Sequence, residues 1–363
     1  MSSEEGILQF NRGVPATETL PVRGAGDALS AALEKDGQRL LAYGDSRGYL
    51  PLRETLAADC DGVSSDEVLL GNGSLQLLDM IASLYLGEGK VVAVEEPTYD
   101  RAITIFKRAG TKVVGVELES DGVKTEKLRE VFSELQPELF YTIPDFQNPT
   151  GTTTSREKRE RVAALLDRYG VTAVEDSPYR RLRYRGEPEP ELRSLNQERV
   201  LQISSFSKLV GPGVRVGWLV GDSVTIDELS AYAEDTYITP VALGQGIVHE
   251  FMVNGWLEEN VEKLKSLYRP RLEATLENLE KYLPEAEWVE AKGGFFVGVW
   301  LPDRELGRRF YEEAGSRGLV LTSPAGFFPD NGGENFLRLP FPALTPPEIE
   351  SGIKRIAEVW NDL

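Results

Sequence analysis

The chain has 363 residues, 41% of them apolar and 27% charged, which fits one large domain and a smaller one, or two similar domains, with sizeable cores. Forty basic residues against 59 acidic ones leave a net charge of −19, which argues against a nucleic-acid binder and against docking on anionic lipid. The single cysteine, Cys60, and single histidine, His249, exclude an intrachain disulfide, a thiolate metal cage and a two-histidine metal site, and any Ser-His-Asp triad would have to use His249.

Residues 1–6 are acidic and lack the basic and apolar regions of a signal peptide, and no run of about 18 apolar residues exists. A cytoplasmic protein without a membrane span is expected. Up to about residue 40 the chain carries Gly13, Pro15, Pro21, Gly24 and Gly26 and reads as an arm leading into one helix. From about Ser65, short apolar runs alternate with helical patterns. The runs at 67–70, 90–94, 112–116, 139–143, 171–174, 200–203 and 214–220 predict seven strands, several of them continuous Val/Ile/Leu segments suited to burial on both faces. Between them, a helix over 75–86 follows Ser74 as its N-cap. Another, over 155–169, opens with Thr154-Ser155-Arg156-Glu157 as a capping box and stops at Gly170. The alternation predicts an α/β sheet with mostly parallel strands. After about Thr239 the pattern turns α+β. It holds a long helix over 257–283, a strand within 293–300, a helix over 305–317, and short strands at 319–321 and 336–339. A last helix opens with the capping box Thr345-Pro346-Pro347-Glu348. This is the expected second, smaller domain.

In open α/β sheets, ligands bind beyond the carboxyl ends of the strands, so the residues that follow each predicted strand are the candidates. Gly71-Asn72-Gly73-Ser74 leads into a helix and offers free backbone N–H groups to a phosphate, although such a loop is more often a plain connection. Tyr99 follows the second strand as a rim aromatic. Pro144-Asp145-Phe146-Gln147-Asn148-Pro149-Thr150-Gly151 follows the fourth and is either a turn or a source of the Asn148 amide. Asp176 and Tyr179 follow the fifth, where a buried carboxylate must be paired or hydrogen-bonded. Ser205-Phe206-Ser207-Lys208 follows the sixth, with Arg215 seven residues on, a context that favours a functional lysine over a solvated one.

Taken together, Asn148-Pro149-Thr150-Gly151, Asp176 with Tyr179, Ser205-Phe206-Ser207-Lys208 with Arg215, and Arg338 in Leu337-Arg338-Leu339 resemble the pyridoxal-phosphate-dependent class I/II aminotransferases. The steps of 28 residues from Asn148 to Asp176 and 32 from Asp176 to Lys208 fit that family, and the likeness runs from about Leu8 to the C-terminus. Within the family the chain is similar to the subgroup of 2-aminoadipate and kynurenine aminotransferases and the effector domains of aminotransferase-like regulators. The resemblance implies the aspartate aminotransferase fold, which is pyridoxal-phosphate fold type I. Its large domain, expected over 41–245, holds a mostly parallel seven-stranded sheet between helices. A smaller α+β domain is expected over 246–363, with the arm, 1–40, packing on it.

The resemblance further implies that Lys208 forms a Schiff base with pyridoxal 5'-phosphate and, once released, moves a proton from the substrate Cα. Asp176 would face the pyridine nitrogen, Tyr179 and Asn148 the phenolic oxygen, and Tyr99 would stack on the ring. The Gly73-Ser74-Leu75 backbone, Ser205 and Arg215 would hold the phosphate, joined by Tyr43 from the other subunit of a homodimer with shared sites. On the substrate side, Arg338 would take the α-carboxylate, with Asn148 and Gly13 beside it. Arg12 would either reach a distal carboxylate or point to solvent. Only about nine residues precede Phe10-Asn11-Arg12-Gly13-Val14-Pro15, where relatives of the subgroup carry an extra helix. The expected reaction moves an amino group from an L-amino acid to a 2-oxo acid, 2-oxoglutarate foremost, by a ping-pong route without metal. Alternatives are another pyridoxal-phosphate reaction on the same scaffold, such as a carbon–sulfur lyase or decarboxylase, or a ligand-sensing regulator module.

Overall fold

All seven predicted strands of the large sheet form in the computed structural model, which describes residues 7–363. The acidic start read above for targeting signals, residues 1–6, lies outside the described residues. The sheet runs in the order Val68–Gly71, Gly217–Val220, Val200–Ser205, Thr172–Asp176, Leu139–Thr142, Val91–Glu96, Lys112–Glu119. Gly217–Val220 is antiparallel to both neighbours, and the pairings from Val200–Ser205 across to Lys112–Glu119 are parallel. An eighth strand was not foreseen. Gly122–Val123 folds back on the end of Lys112–Glu119, and two residues are too short to show a period.

Alternate residues of each central strand point to opposite faces, and both faces are covered. Val92, Val94 and Tyr141 meet Leu77, Ile81 and Phe106 on one side. Ala93, Phe140 and Ala173 meet Leu128, Phe132 and Leu166 on the other. That two-sided burial is why these strands read as unbroken apolar runs.

Several boundaries differ from the sequence reading, and three of them involve a cap or a turn. The helix Ser74–Tyr85 is capped by Gly73 at φ +96°, and Ser74 is its first helical residue, not its cap. The strand expected to begin at residue 214 begins at Gly217, because Pro212–Val214 is a 3-10 turn and Arg215 sits at φ +51°. These two shifts are one event. A side chain on Gly73 would collide with the Arg215 guanidinium, and one on Gly217 with the Ser74 backbone. The helix Arg156–Tyr169 is capped by Ser155, one residue later than the box read at Thr154. The box at Thr345 forms as read, with both of its hydrogen bonds present.

A second, antiparallel sheet joins Glu287–Trp288, Phe296–Trp300 and Phe336–Pro340. It is bonded to the loop after Leu139–Thr142, since Gly298 N–H donates to the Thr150 carbonyl at 2.8 Å. Near the start of the chain, Leu8–Phe10 pairs in parallel with Leu319–Leu321, and the helix Val22–Leu41 lies on Ala242–Val253. No helix among the described residues is long and apolar enough to cross a membrane.

Candidate active site

A cavity of about 260 Å³ opens beyond the carboxyl ends of the parallel strands. Twelve residues singled out from the sequence line it: Gly13, Gly73, Ser74, Leu75, Tyr99, Asn148, Asp176, Tyr179, Ser205, Lys208, Arg215 and Arg338. Each arrives from the end of a strand or the turn after it. Arg338 and Phe296 come instead from the second sheet, and Gly13 from the arm.

Asp176 ends its strand 5% exposed. Its Oδ2 accepts the Tyr141 hydroxyl at 2.7 Å, while Oδ1 has no partner. Burial pushes the carboxyl up to about 7, against the hydrogen bond from Tyr141 and the charge of Lys208, which both favour the ionised form. Lys208 ends a 3-10 turn, and its Nζ donates to the Gly13 carbonyl at 3.1 Å. Burial, helped by the Arg338 charge, brings its ammonium down to about 8. No carboxylate pairs with it among the described residues.

Arg338 lies between the rings of Phe296 and Phe327, each 4.7 Å from the guanidinium carbon. Its Nη1 donates to Asn148 Oδ1 at 3.1 Å and its Nη2 to Thr322 Oγ1 at 3.1 Å, while Nε is unpartnered. No acid pairs with this buried cation among the described residues. Opposite it, the N-terminus of Ser74–Tyr85 and the Arg215 guanidinium form a cup, held by the Arg215 Nη2 bond to the Asn72 carbonyl at 2.6 Å. Tyr99 and Tyr179 close the sides, and burial drives both phenols up, Tyr99 to about 12.

Two expected residues are not in the cavity. Arg12 is exposed. The burial of the arm alternates, with Asn11 and Gly13 turned inward, so Arg12 between them points away, as in any extended segment. Space is also closed from the inside, because the Phe296 ring occupies the position a side chain on Gly13 would need. Tyr43 is 84% exposed and reaches nothing in its own chain's cavity.

Sequence reasoning also missed residues. Ser207 lines the cup, and the Ser205 hydroxyl is already engaged, accepting from Ser207 N–H at 3.1 Å and facing the Val216 carbonyl at 3.2 Å. Ile143, Pro178, Pro212 and Phe296 line the walls. Of these, Ser207 carried a signal, since it stands in the motif directly before Lys208. His249 and Cys60 lie outside the cavity. His249 meets the Thr55 hydroxyl at 3.2 Å and the edge of Tyr49.

A buried lysine amine, an acid with one open oxygen, an anion cup and an unpaired guanidinium at the strand ends of such a sheet are the parts of a pyridoxal-phosphate enzyme of fold type I. Residues 5–356 match the profile of the family described as aminotransferase class I and II. An aromatic-amino-acid aminotransferase of Thermococcus litoralis is 33% identical over 98% of this chain and 88% of its own length. A 2-aminoadipate transaminase of Thermus thermophilus is 33% identical over 100% of this chain and 92% of its own. The crystal structure of a Pyrococcus horikoshii kynurenine aminotransferase superposes with a TM-score of 0.95 at 34% identity, covering 99% of this chain and 92% of that one. The chain belongs to the class I and II aminotransferases, and it is a pyridoxal-phosphate-dependent enzyme of that family.

Proposed function

We propose that this cavity seats pyridoxal 5'-phosphate and that the protein moves the amino group of an L-amino acid to a 2-oxo acid, with 2-oxoglutarate as acceptor, in two half-reactions at one site. The observation that carries the reading is Lys208, a buried amine with no carboxylate partner among the described residues, in the same cavity as the open Oδ1 of Asp176. The residues fit the cofactor. An orphaned, buried carboxylate oxygen suits a protonated ring nitrogen, and a helix N-terminus with Arg215 suits a phosphate. When bound, the cofactor supplies an aldehyde carbon that takes up the amino group and a ring that accepts the electron pair left at the substrate Cα.

The chain's own residues do the rest. Lys208 Nζ, its ammonium brought down to about 8 by burial, would take the Cα proton. Asp176 would hold a proton on the ring nitrogen through its open Oδ1. Ser74, Ser207 and Arg215 hold the phosphate, Ser205 bracing Ser207. Tyr179 and Asn148 would hold the phenolic oxygen, and Tyr99 would stack on the ring. Arg338 fixes the α-carboxylate by two parallel bonds, which orients the Cα–H bond toward Lys208. With Arg12 outside, the walls left to the side chain are Ile143, Tyr99 and Phe296, which favour aromatic and aliphatic donors.

The site is completed by a second copy of the chain. Tyr43, Leu41, Ile238 and Val241 are exposed apolar or aromatic residues, and Val241 is tied by its N–H to Asn72 Oδ1 at the cup. A two-fold dimer through this face brings the partner's tyrosine to the phosphate.

The test is a half-reaction. Phenylalanine, leucine and glutamate are added singly to the holoenzyme, and loss of the aldehyde form is followed by absorbance together with release of the matching 2-oxo acid. Addition of 2-oxoglutarate then restores the aldehyde form. Release of carbon dioxide, with the aldehyde form retained, contradicts the reading.

A further inference from the structure

One side chain reaches Asp176 from the neighbouring strand. Tyr141 is 0% exposed in Leu139–Thr142, which lies parallel to Thr172–Asp176 with Tyr141 opposite Val174. Its phenol extends along the strand direction to Asp176 Oδ2, at 2.7 Å. The ring cannot swing away, because Phe106 meets it edge-on with centroids 5.7 Å apart. Tyr141 is the only hydrogen-bond donor to Asp176 among the described residues, and Oδ1 keeps no partner. On geometry alone, then, one carboxylate oxygen is committed to the strand behind it and the other is turned to the cavity.

We propose that Tyr141 is the positioning residue of the cofactor site: by occupying Oδ2 it fixes which oxygen of Asp176 meets the ring nitrogen and favours the ionised carboxylate against burial. The proposal rests on the role given to Asp176 above. A carboxyl can turn about its Cβ–Cγ bond and exchange its oxygens, and a bond to one oxygen removes that freedom. The proton stays on Tyr141, since burial and the Asp176 charge hold the phenol well above its ordinary range. The other ionisable groups facing Asp176 are Lys208, whose charge also favours the carboxylate, and the phenols of Tyr99 and Tyr179, which stay neutral. Loss of the Tyr141 donor leaves burial opposed by Lys208 alone.

The experiment compares wild type with Tyr141→Phe in two states. In the cofactor-free protein, the carboxyl band of Asp176 is identified in infrared difference spectra by its loss in Asp176→Asn and titrated against pH. The wild-type midpoint is expected at about 7 and moves upward in Tyr141→Phe. In the holoenzyme, Tyr141→Phe weakens pyridoxal-phosphate binding about ten- to a hundredfold and lowers kcat with little change in KM for the amino donor. If Tyr141→Phe fails to fold, site-specific 3-fluorotyrosine at position 141 keeps the ring and strengthens the donor, and the midpoint moves down instead. A midpoint that neither change moves overturns the proposal. A wild type that binds no pyridoxal phosphate overturns the reading of the site instead, and the titration of the cofactor-free protein still decides whether Tyr141 governs Asp176.

Discussion

Two aspartates are buried about equally and behave in opposite ways. Asp145 is 0% exposed and lies three residues before Asn148. Its Oδ1 accepts from Arg159 Nη2 at 3.0 Å and Arg183 Nη2 at 3.3 Å, and its Oδ2 from Arg159 Nη1 at 3.2 Å and Arg180 Nη1 at 2.8 Å. Burial alone would raise its pKa, but Arg159 and Arg180 together hold it below the usual carboxylate range. Asp176 has one donor and one open oxygen, and burial wins. A saturated buried charge holds the loop that carries Asn148. An unsaturated one is held ready for a ligand. The same contrast separates Arg159, filled by Asp145 and three carbonyls, from Arg338, which has no acid among the described residues.

Five substitutions test that contrast, from the largest expected effect to the smallest. Lys208→Ala removes the unsaturated amine, and transamination falls by at least about a thousandfold while the melting temperature of the cofactor-free protein holds or rises. Wild-type turnover in that variant would remove the lysine from the chemistry. The two aspartates then split. Asp176→Asn lowers kcat by about a hundredfold or more, because an amide cannot hold a charged ring nitrogen. It also stabilises the cofactor-free protein at pH 8. The sign follows from the raised pKa: the cost of a buried, ionised Asp176 is full above about 7 and is gone below the ordinary value of 3.8, so the gain fades on acidification.

Asp145→Asn does the reverse. It costs about 3–5 kcal/mol of stability by leaving guanidinium groups unpaired. Its pKa is lowered, so the stability it lends is present above 3.8 and is lost as the pH falls further. Thermal melts from about pH 2 to 8 measure both slopes, and slopes of the same sign would end the contrast. Tyr43 comes next. Tyr43→Ala is impaired about tenfold through cofactor affinity, but hybrids with Lys208→Ala regain one intact site per dimer. No recovery on mixing, with each parent impaired, would place Tyr43 in its own subunit's site. Last, Arg12→Ala leaves kcat/KM on glutamate and on phenylalanine within about twofold, as for an exposed side chain away from the reaction. A selective loss on glutamate would bring Arg12 back to the substrate.

Much of this site was legible because it is built at the ends of parallel strands, where sequence order and spatial order coincide. Lys208, Asp176, Asn148 and Arg215 each follow an apolar run that is unmistakable as a buried strand. What failed depended on contacts between distant segments. Gly73 caps its helix only because Arg215, far along the chain, takes the space a side chain would need. Arg12 sits in a motif-like segment, yet one residue of alternation decides which face it takes, and no periodicity is visible in so short an arm. Tyr141 looks like any core aromatic in a strand. Only the rule that a buried phenol needs a partner hints that it has work to do. Phe296 and Phe327 were silent for the same reason, being apolar residues in an apolar part of the sequence.

The aromatic sandwich around Arg338 has a kinetic consequence. A guanidinium in water must shed part of its hydration each time an anion arrives. Here the rings of Phe296 and Phe327 strip both faces as the chain folds, and only the edge of the fork stays open. Dehydration of the receptor is thus completed once per molecule rather than once per turnover, so an incoming carboxylate has chiefly its own water to lose.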